Sequence, residues 1–335
     1  VPSPKRKKAA AKSQLGGKAT GRVRRGRARA NDLASEAKAA VGKIARQAGT
    51  TSAARVRDLS NQARKRVLAS LPPPIEPHLC LMMSPRAPVR PVALSDSVRI
   101  ATYNVHRWQG THGRSQPDVA RAGAVIGELD ADVIALQEVL RPEASEGEDP
   151  LRLLCDELNL YLVFAGTRRH RRGQLGNAIL SKSPISSIAI IDISFSRFER
   201  RGALVAQIGE ADASLGVIAT HLSLVDRTRH RQVQSLLDQP QLNAGPTVLL
   251  GDMNSWRNCK GSKELEGKLN LHHNVDWPAS FPSARPLLAL DRIYVRKASV
   301  VDVRNHNSKA ARKASDHLPV IAEIQFEPTD VGAGR

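Results

Sequence analysis

The stretch TVLLGDMN, residues 247–254, holds a β-branched apolar run, Thr247 to Leu250, that stops abruptly at a glycine, an acid and an amide. Its first half asks for a buried strand, and its second half is polar chain of the kind found where a strand leaves a sheet. The same juxtaposition recurs elsewhere in the chain. It appears at Thr102-Tyr103-Asn104-Val105-His106, Leu136-Gln137-Glu138-Val139, Thr220-His221-Leu222, Leu290-Asp291-Arg292-Ile293 and Ser315-Asp316-His317-Leu318-Pro319. Side chains at strand ends converge on one edge of a sheet, where open α/β domains place their ligands.

Working outward from these points, short apolar runs predict strands at Val98 to Thr102, Val133 to Gln137, Leu162 to Ala165, Ala178 to Ser181, Ala203 to Ile208, Leu215 to Thr220, Thr247 to Leu250, Arg292 to Val295 and Val320 to Ile324. Helical spacing predicts helices near Pro117 to Leu129, Pro150 to Leu158 and Thr228 to Leu237. Strands outnumber helices, which implies a layered α/β or α+β domain.

Charge divides the chain in a different place. Residues 1–95 hold 21 Lys+Arg against 4 Asp+Glu, whereas residues 96–335 hold 30 against 28. The high isoelectric point therefore belongs to the N-terminal segment and gives no sign that the folded domain grips nucleic acid, since a basic footprint must lie on the binding surface. Residues 1–70 read as a tail rich in Ala, Lys and Arg, disordered or partly helical, because so little of it can be buried. Residues 71–95, with seven prolines, read as a linker, followed by a domain over 96–328 and a short tail over 329–335. Met82 and Met83 are the first methionines, so a start there is a second reading of the tail. Three scattered cysteines form neither a disulfide framework nor a zinc pattern, which suits a reducing compartment. No apolar run reaches the roughly 20 residues of a bilayer span. The expectation is a monomeric, cytoplasmic protein whose tail can meet nucleic acid or an anionic membrane, making peripheral membrane association an open reading.

Oxygen-rich, cysteine-free clusters favour hard divalent ions, and Mg²⁺ or Mn²⁺ is commonly held by one or two carboxylates together with water and substrate phosphate. The bare chemistry points to phosphoester hydrolysis. In order and spacing, the six clusters resemble the endonuclease/exonuclease/phosphatase superfamily, from about Val98 to Phe326. The resemblance implies a four-layered α/β sandwich, two packed mixed sheets flanked by helices, and a metal-dependent phosphohydrolase activity. Carried over residue by residue, it puts Asn104, Glu138 and Asp316 at the metal. It makes Asp252 the group that orients or deprotonates water, Asn254 a phosphate contact, and His317 a phosphate contact paired with Asp291. His221 matches the histidine of the sphingomyelinase, inositol-phosphatase and pancreatic-deoxyribonuclease branches, and it argues against the abasic-site endonucleases, which use tyrosine in a comparable role.

The sequence departs from some relatives at His106, where several nucleases carry an acid. His106, Asn177, Arg201 and Trp256 are candidate substrate contacts. Trp108 reads either as a stacking residue or as packing, and the run Arg168 to Arg172 either as a substrate-side loop or as a solvated charge cluster. The leading expectation is a phosphodiesterase or phosphatase. Its rivals are a Mg²⁺-dependent nuclease tethered by the basic tail and a catalytically silent binding module, against which the unbroken motifs speak.

Overall fold

The computed structural model describes residues 79–87, 94, 97–143, 148–195, 199–210, 213–243, 245–269 and 275–327. The basic tail, the first part of the expected linker, His272, His273 and the tail over 329–335 lie outside the described residues. The chain separates into two units, Val1–Glu76 and Pro77–Arg335, and the described residues belong to the second.

The chain first lays down five strands of one sheet: β1 (Cys80–Met83), β2 (Ser97–Asn104), β3 (Val133–Arg141), β4 (Tyr161–His170) and β5 (Gly173–Ser181). It then builds the whole of a second sheet from β6 (Ile185–Asp192), β7 (Gly202–Glu210), β8 (Ala213–His221), β9 (Thr247–Asp252) and β10 (Asp291–Arg296). Finally it returns to the first sheet with β11 (Ala298–Asn305) and β12 (Val320–Phe326). The spatial orders are β1-β4-β5-β3-β2-β12-β11 and β10-β9-β8-β7-β6. Each sheet contains one parallel pair, β2 with β3 and β8 with β9, and the remaining pairs are antiparallel.

A parallel pair needs a crossover, and each sheet has a helical one. In the first sheet it is α1 (Val119–Leu129), which starts at Asp118, whose carboxylate accepts the Arg121 amide, and stops at Asp130 in the left-handed region. The next helix is α2 (Pro150–Leu158), capped by Asp149 and opened by a proline that has no amide to leave unpaired. In the second sheet the crossover is α3 (Asp226–Leu237), and α4 (Lys260–Lys268) packs beside it. A single turn, α5 (Ala311–Ala314), precedes β12.

Central strands are covered on both faces, which is why β2, β3 and β9 read as nearly unbroken apolar runs. Ile100, Val133, Ile179, Val217, Leu250 and Ile293 are among the residues of the core between the sheets. On the outer face of the first sheet, Tyr103, Ile134 and Leu162 pack with Val125, Ile126 and Leu154 of α1 and α2. On the outer face of the second, Ile218, Leu249 and Tyr294 pack with Val233, Leu236 and Leu265 of α3 and α4. The result is the expected four-layered sandwich. The expected linker needs correction, because Cys80–Met83 is a strand paired antiparallel with β4, Cys80 opposite Ala165 and Met83 opposite Leu162. Strands β6 and β11 and helix α4 were not anticipated either.

Candidate active site

The two crossovers aim at one place. Asn104, the last residue of β2, lies in register with Gln137 of β3, and His221, the last of β8, lies in register with Asp252, the last of β9. Parallel neighbours end together, so each sheet offers its chemistry at its carboxyl edge. Asn104 Nδ2 donates to Asp252 Oδ2 at 3.0 Å, joining the two edges. Glu138 needs a further device. The β3–β5 pairing breaks between Leu136 and Val139, and Glu138 takes φ +53°, a bulge that re-aims its side chain.

Antiparallel β10 brings Asp291 opposite Asp252. Ahead of β12, Ser315 donates its hydroxyl to the Asn104 carbonyl at 2.6 Å and accepts the His317 amide at 3.2 Å, which seats the Ser315-Asp316-His317 turn against β2. His317 Nδ1 is then 2.8 Å from Asp291 Oδ2, and its Nε2 is 3.8 Å from Asp252 Oδ2. His221 Nε2 approaches the same Asp252 oxygen at 3.3 Å. The Asp252 carboxylate is further fixed by the Asn254 amide, which donates to Oδ1 at 2.9 Å.

These groups are buried, so their charges are set by one another. Burial opposes a charge on His317, yet the Asp291 and Asp252 carboxylates outweigh it and raise its pKa to about 10. Burial, with the charges of Arg201 and His317, pushes His221 well below the usual histidine range. Asp252 is raised to about 6 by burial and the charge of Asp291, against the pull of His317 and the Asn104 hydrogen bond. The site therefore holds one imidazolium, one neutral imidazole and one carboxyl of raised basicity.

The two remaining metal candidates sit nearby. His106 Nδ1 is 3.2 Å from Asp316 Oδ1 and 2.9 Å from the Gly110 carbonyl, while Asn104 Oδ1 accepts the His106 amide. Arg107 Nε is 3.4 Å from Glu138 Oε2 without hydrogen-bond alignment, leaving that buried carboxylate oxygen with no hydrogen-bond partner. Burial and the charge of Glu138 both contribute to raising the pKa of Asp316. A buried carboxylate oxygen without a hydrogen bond, a second carboxylate within electrostatic reach and an amide oxygen are donor types that a hard cation takes. Asp252, Asp291 and His317 also lie close enough together to hold an ion. There, however, Asp252 accepts N–H groups at both oxygens, Asp291 Oδ2 takes the Ser280 hydroxyl at 2.6 Å, and His317 is protonated. Asp291 Oδ1 is buried without a hydrogen-bond partner, but with the other carboxylate oxygens satisfied and His317 carrying a proton the trio is read as a proton-handling group.

Of the candidate substrate contacts, Asn177 and Arg201 line a cavity with Glu138, Arg168 and His221. Asn177 donates to the Gly202 carbonyl at 2.9 Å, and Arg201 is clamped by Glu199 at 2.7 Å. Asn254 spends one amide N–H on the Leu222 carbonyl. Trp256 stands apart from this network, exposed on the loop after β9. Trp108 is buried and donates to the Leu140 carbonyl at 2.7 Å, so it is packing. The Arg168 to Arg172 run forms the end and turn of the β4–β5 hairpin. Sequence reading missed Ser280, which binds Asp291, and Glu199, which positions Arg201. It also missed the packing of the Phe281 ring against His317, with centroids 4.9 Å apart. The stretch Ser280-Phe281-Pro282-Ser283 is the nearby sequence feature that could have pointed to both Ser280 and Phe281.

The profile of the Endonuclease/Exonuclease/phosphatase family matches residues 101–317. Uncharacterized protein YbhP of Escherichia coli K12 is 30% identical over 255 residues, covering 69% of this chain and 97% of that protein. Among solved structures, an endonuclease/exonuclease/phosphatase from Beutenbergia cavernae superposes with a TM-score of 0.56 at 23% identity, covering 70% of this chain and 73% of its own. A family protein from Leptotrichia buccalis gives 0.56 at 18% identity, over 68% of this chain and 100% of its own.

Proposed function

Because the chain belongs to the endonuclease/exonuclease/phosphatase family, we propose that it is a divalent-metal-dependent phosphoester hydrolase, breaking a P–O bond by attack of water. The observation that carries this reading is the meeting of Asn104, His221 and His317 around one oxygen of Asp252. Asp252 holds and deprotonates the attacking water, with a pKa matched to that task near neutrality. His317, kept protonated by Asp291, donates to a phosphoryl oxygen. Neutral His221 and the second N–H of Asn254 complete the cradle for the charge that develops there.

Glu138, Asp316 and Asn104 are the residues to hold Mg²⁺ or Mn²⁺, which supplies Lewis-acid stabilisation of the phosphoryl oxygens when bound. The test is Mg²⁺-dependent hydrolysis of bis-p-nitrophenyl phosphate by the full chain. Asp252→Ala should lower kcat by roughly 10³-fold or more, and Glu138→Ala should abolish the response to metal. Undiminished turnover by the double variant overturns the reading. A nuclease tethered by its N-terminal segment is the second reading, favoured by the 21 Lys+Arg against 4 Asp+Glu of residues 1–95. Metal-dependent nicking of plasmid DNA by the full chain would select it.

A further inference from the structure

Four of the nine large hydrophobic side chains exposed among the described residues gather about the first turn of α3. Leu224 and Val225 are each 59% exposed, Trp256 46% and Phe195 45%. Leu224 follows His221 by three residues and Trp256 follows Asn254 by two, so these lie on loops that leave candidate catalytic strands, while Phe195 lies on the loop between β6 and β7. Their display is fixed from beneath. Buried Arg229 donates to the carbonyls of Ser223 at 2.9 Å and Leu224 at 3.1 Å, and its guanidinium lies 5.7 Å from the Trp256 ring centroid. Arg231 lies 5.9 Å from the ring of Phe195. The Ser223 hydroxyl binds Glu199, and Gln232 donates to the Ile193 carbonyl, tying the Phe195 loop to the same turn.

Exposed apolar groups held in place and collected on one rim mark an interaction surface. The surrounding charge indicates the partner. Segments 222–232 and 255–260 carry Arg227, Arg229, Arg231, Arg257 and Lys260 against Asp226 alone, and Asp226 is paired with Arg229 at 2.9 Å. Trp and Leu beside arginine, exposed on loops that follow the candidate site residues in sequence, match the apolar-to-anionic step of a bilayer surface. We infer that this rim docks on an anionic lipid surface and that the substrate is the phosphoester of a membrane lipid. The substrate half rests on the hydrolase reading, whereas docking stands without it. Residues 1–95 would draw the chain to the same surface by long-range attraction, and the rim would then set the site against it.

The experiment sediments the full chain with vesicles of phosphatidylcholine, alone or with about one-third phosphatidylglycerol. Binding is expected to the anionic vesicles, together with a blue shift of tryptophan emission that is absent in Trp256→Phe. Leu224→Ser combined with Val225→Ser should weaken binding at least about tenfold with the N-terminal charge untouched. The same double variant should hydrolyse bis-p-nitrophenyl phosphate at the unaltered rate. Unweakened binding by it, or binding without any emission shift, overturns the proposal and leaves attraction to the N-terminal segment as the whole effect. Failure to bind either vesicle also overturns it and points to a protein as occupant of the rim. Turnover of bis-p-nitrophenyl phosphate with none of the phospholipid of either vesicle would overturn the substrate half, and docking without turnover of any phosphoester would sink the hydrolase reading alone.

Discussion

An alanine at position 251 would test how closely β9 must approach β8 for Asp252 to be aimed correctly. Gly251 holds φ +146°, and an added Cβ would collide with the Thr220 carbonyl one residue before His221. Gly251→Ala should destabilise the fold by about 3 kcal/mol and disturb the His221–Asp252 contact, read by thermal melting and by turnover of whatever remains folded. At this scale the sequence disclosed the acids, amides and histidines that meet at the candidate site because each interrupts an apolar run, as Asp252 interrupts TVLLG. It did not disclose the groups that orient them. Ser280 reaches Asp291 from eleven residues away, and Glu199 holds Arg201 from a loop, and neither stands in a pattern that local spacing can expose. Nor does periodicity announce the left-handed turn at Glu138, which only the pairing of β3 with β5 reveals.

Among elements, β1 is the one whose removal is most informative. It covers the outer edge of β4, and a chain begun at Met82 would keep only half of it. Such a chain should melt at a lower temperature than one begun before Cys80 and scatter more light on standing, since an uncovered strand edge recruits other chains. The strands that sequence reading passed over, β1, β6 and β11, are all edges of their sheets. Edge strands are wetter and less regular than central ones. In β6, Ser186, Ser187 and Ile188 are all exposed, and β11 slips register between Val300 and Asp302, so neither shows clean alternation. Cys80–Met83 is further disguised by the prolines around it. Helix α4 carries Gly261 and Gly267, which weaken its helical signature. By contrast, α2 was located from end to end, because Asp149 and Pro150 announce its start.

The molecule as a whole should be sensitive to alkali. Burial raises the pKa of Tyr103 and raises that of Tyr294 to about 12, against the pull of Arg292 on the latter. Between pH 10 and 12 an unfolded tyrosine has lost its proton while these two keep theirs, so the unfolded state binds fewer protons and stability falls as pH rises. Each contributes about 1.4 kcal/mol per pH unit in that window. Urea unfolding at a series of alkaline pH values should show this slope, and Tyr294→Phe should reduce it by about half. A different property follows from the order in which the chain visits its sheets. The second sheet is completed before β12 takes its place between β2 and β11, and Asp316 and His317 come just ahead of β12. During translation they are the last of the catalytic candidates to leave the ribosome. On the proposed reading the nascent chain therefore lacks its full set of candidate reacting groups until shortly before β12, the last described strand, is made.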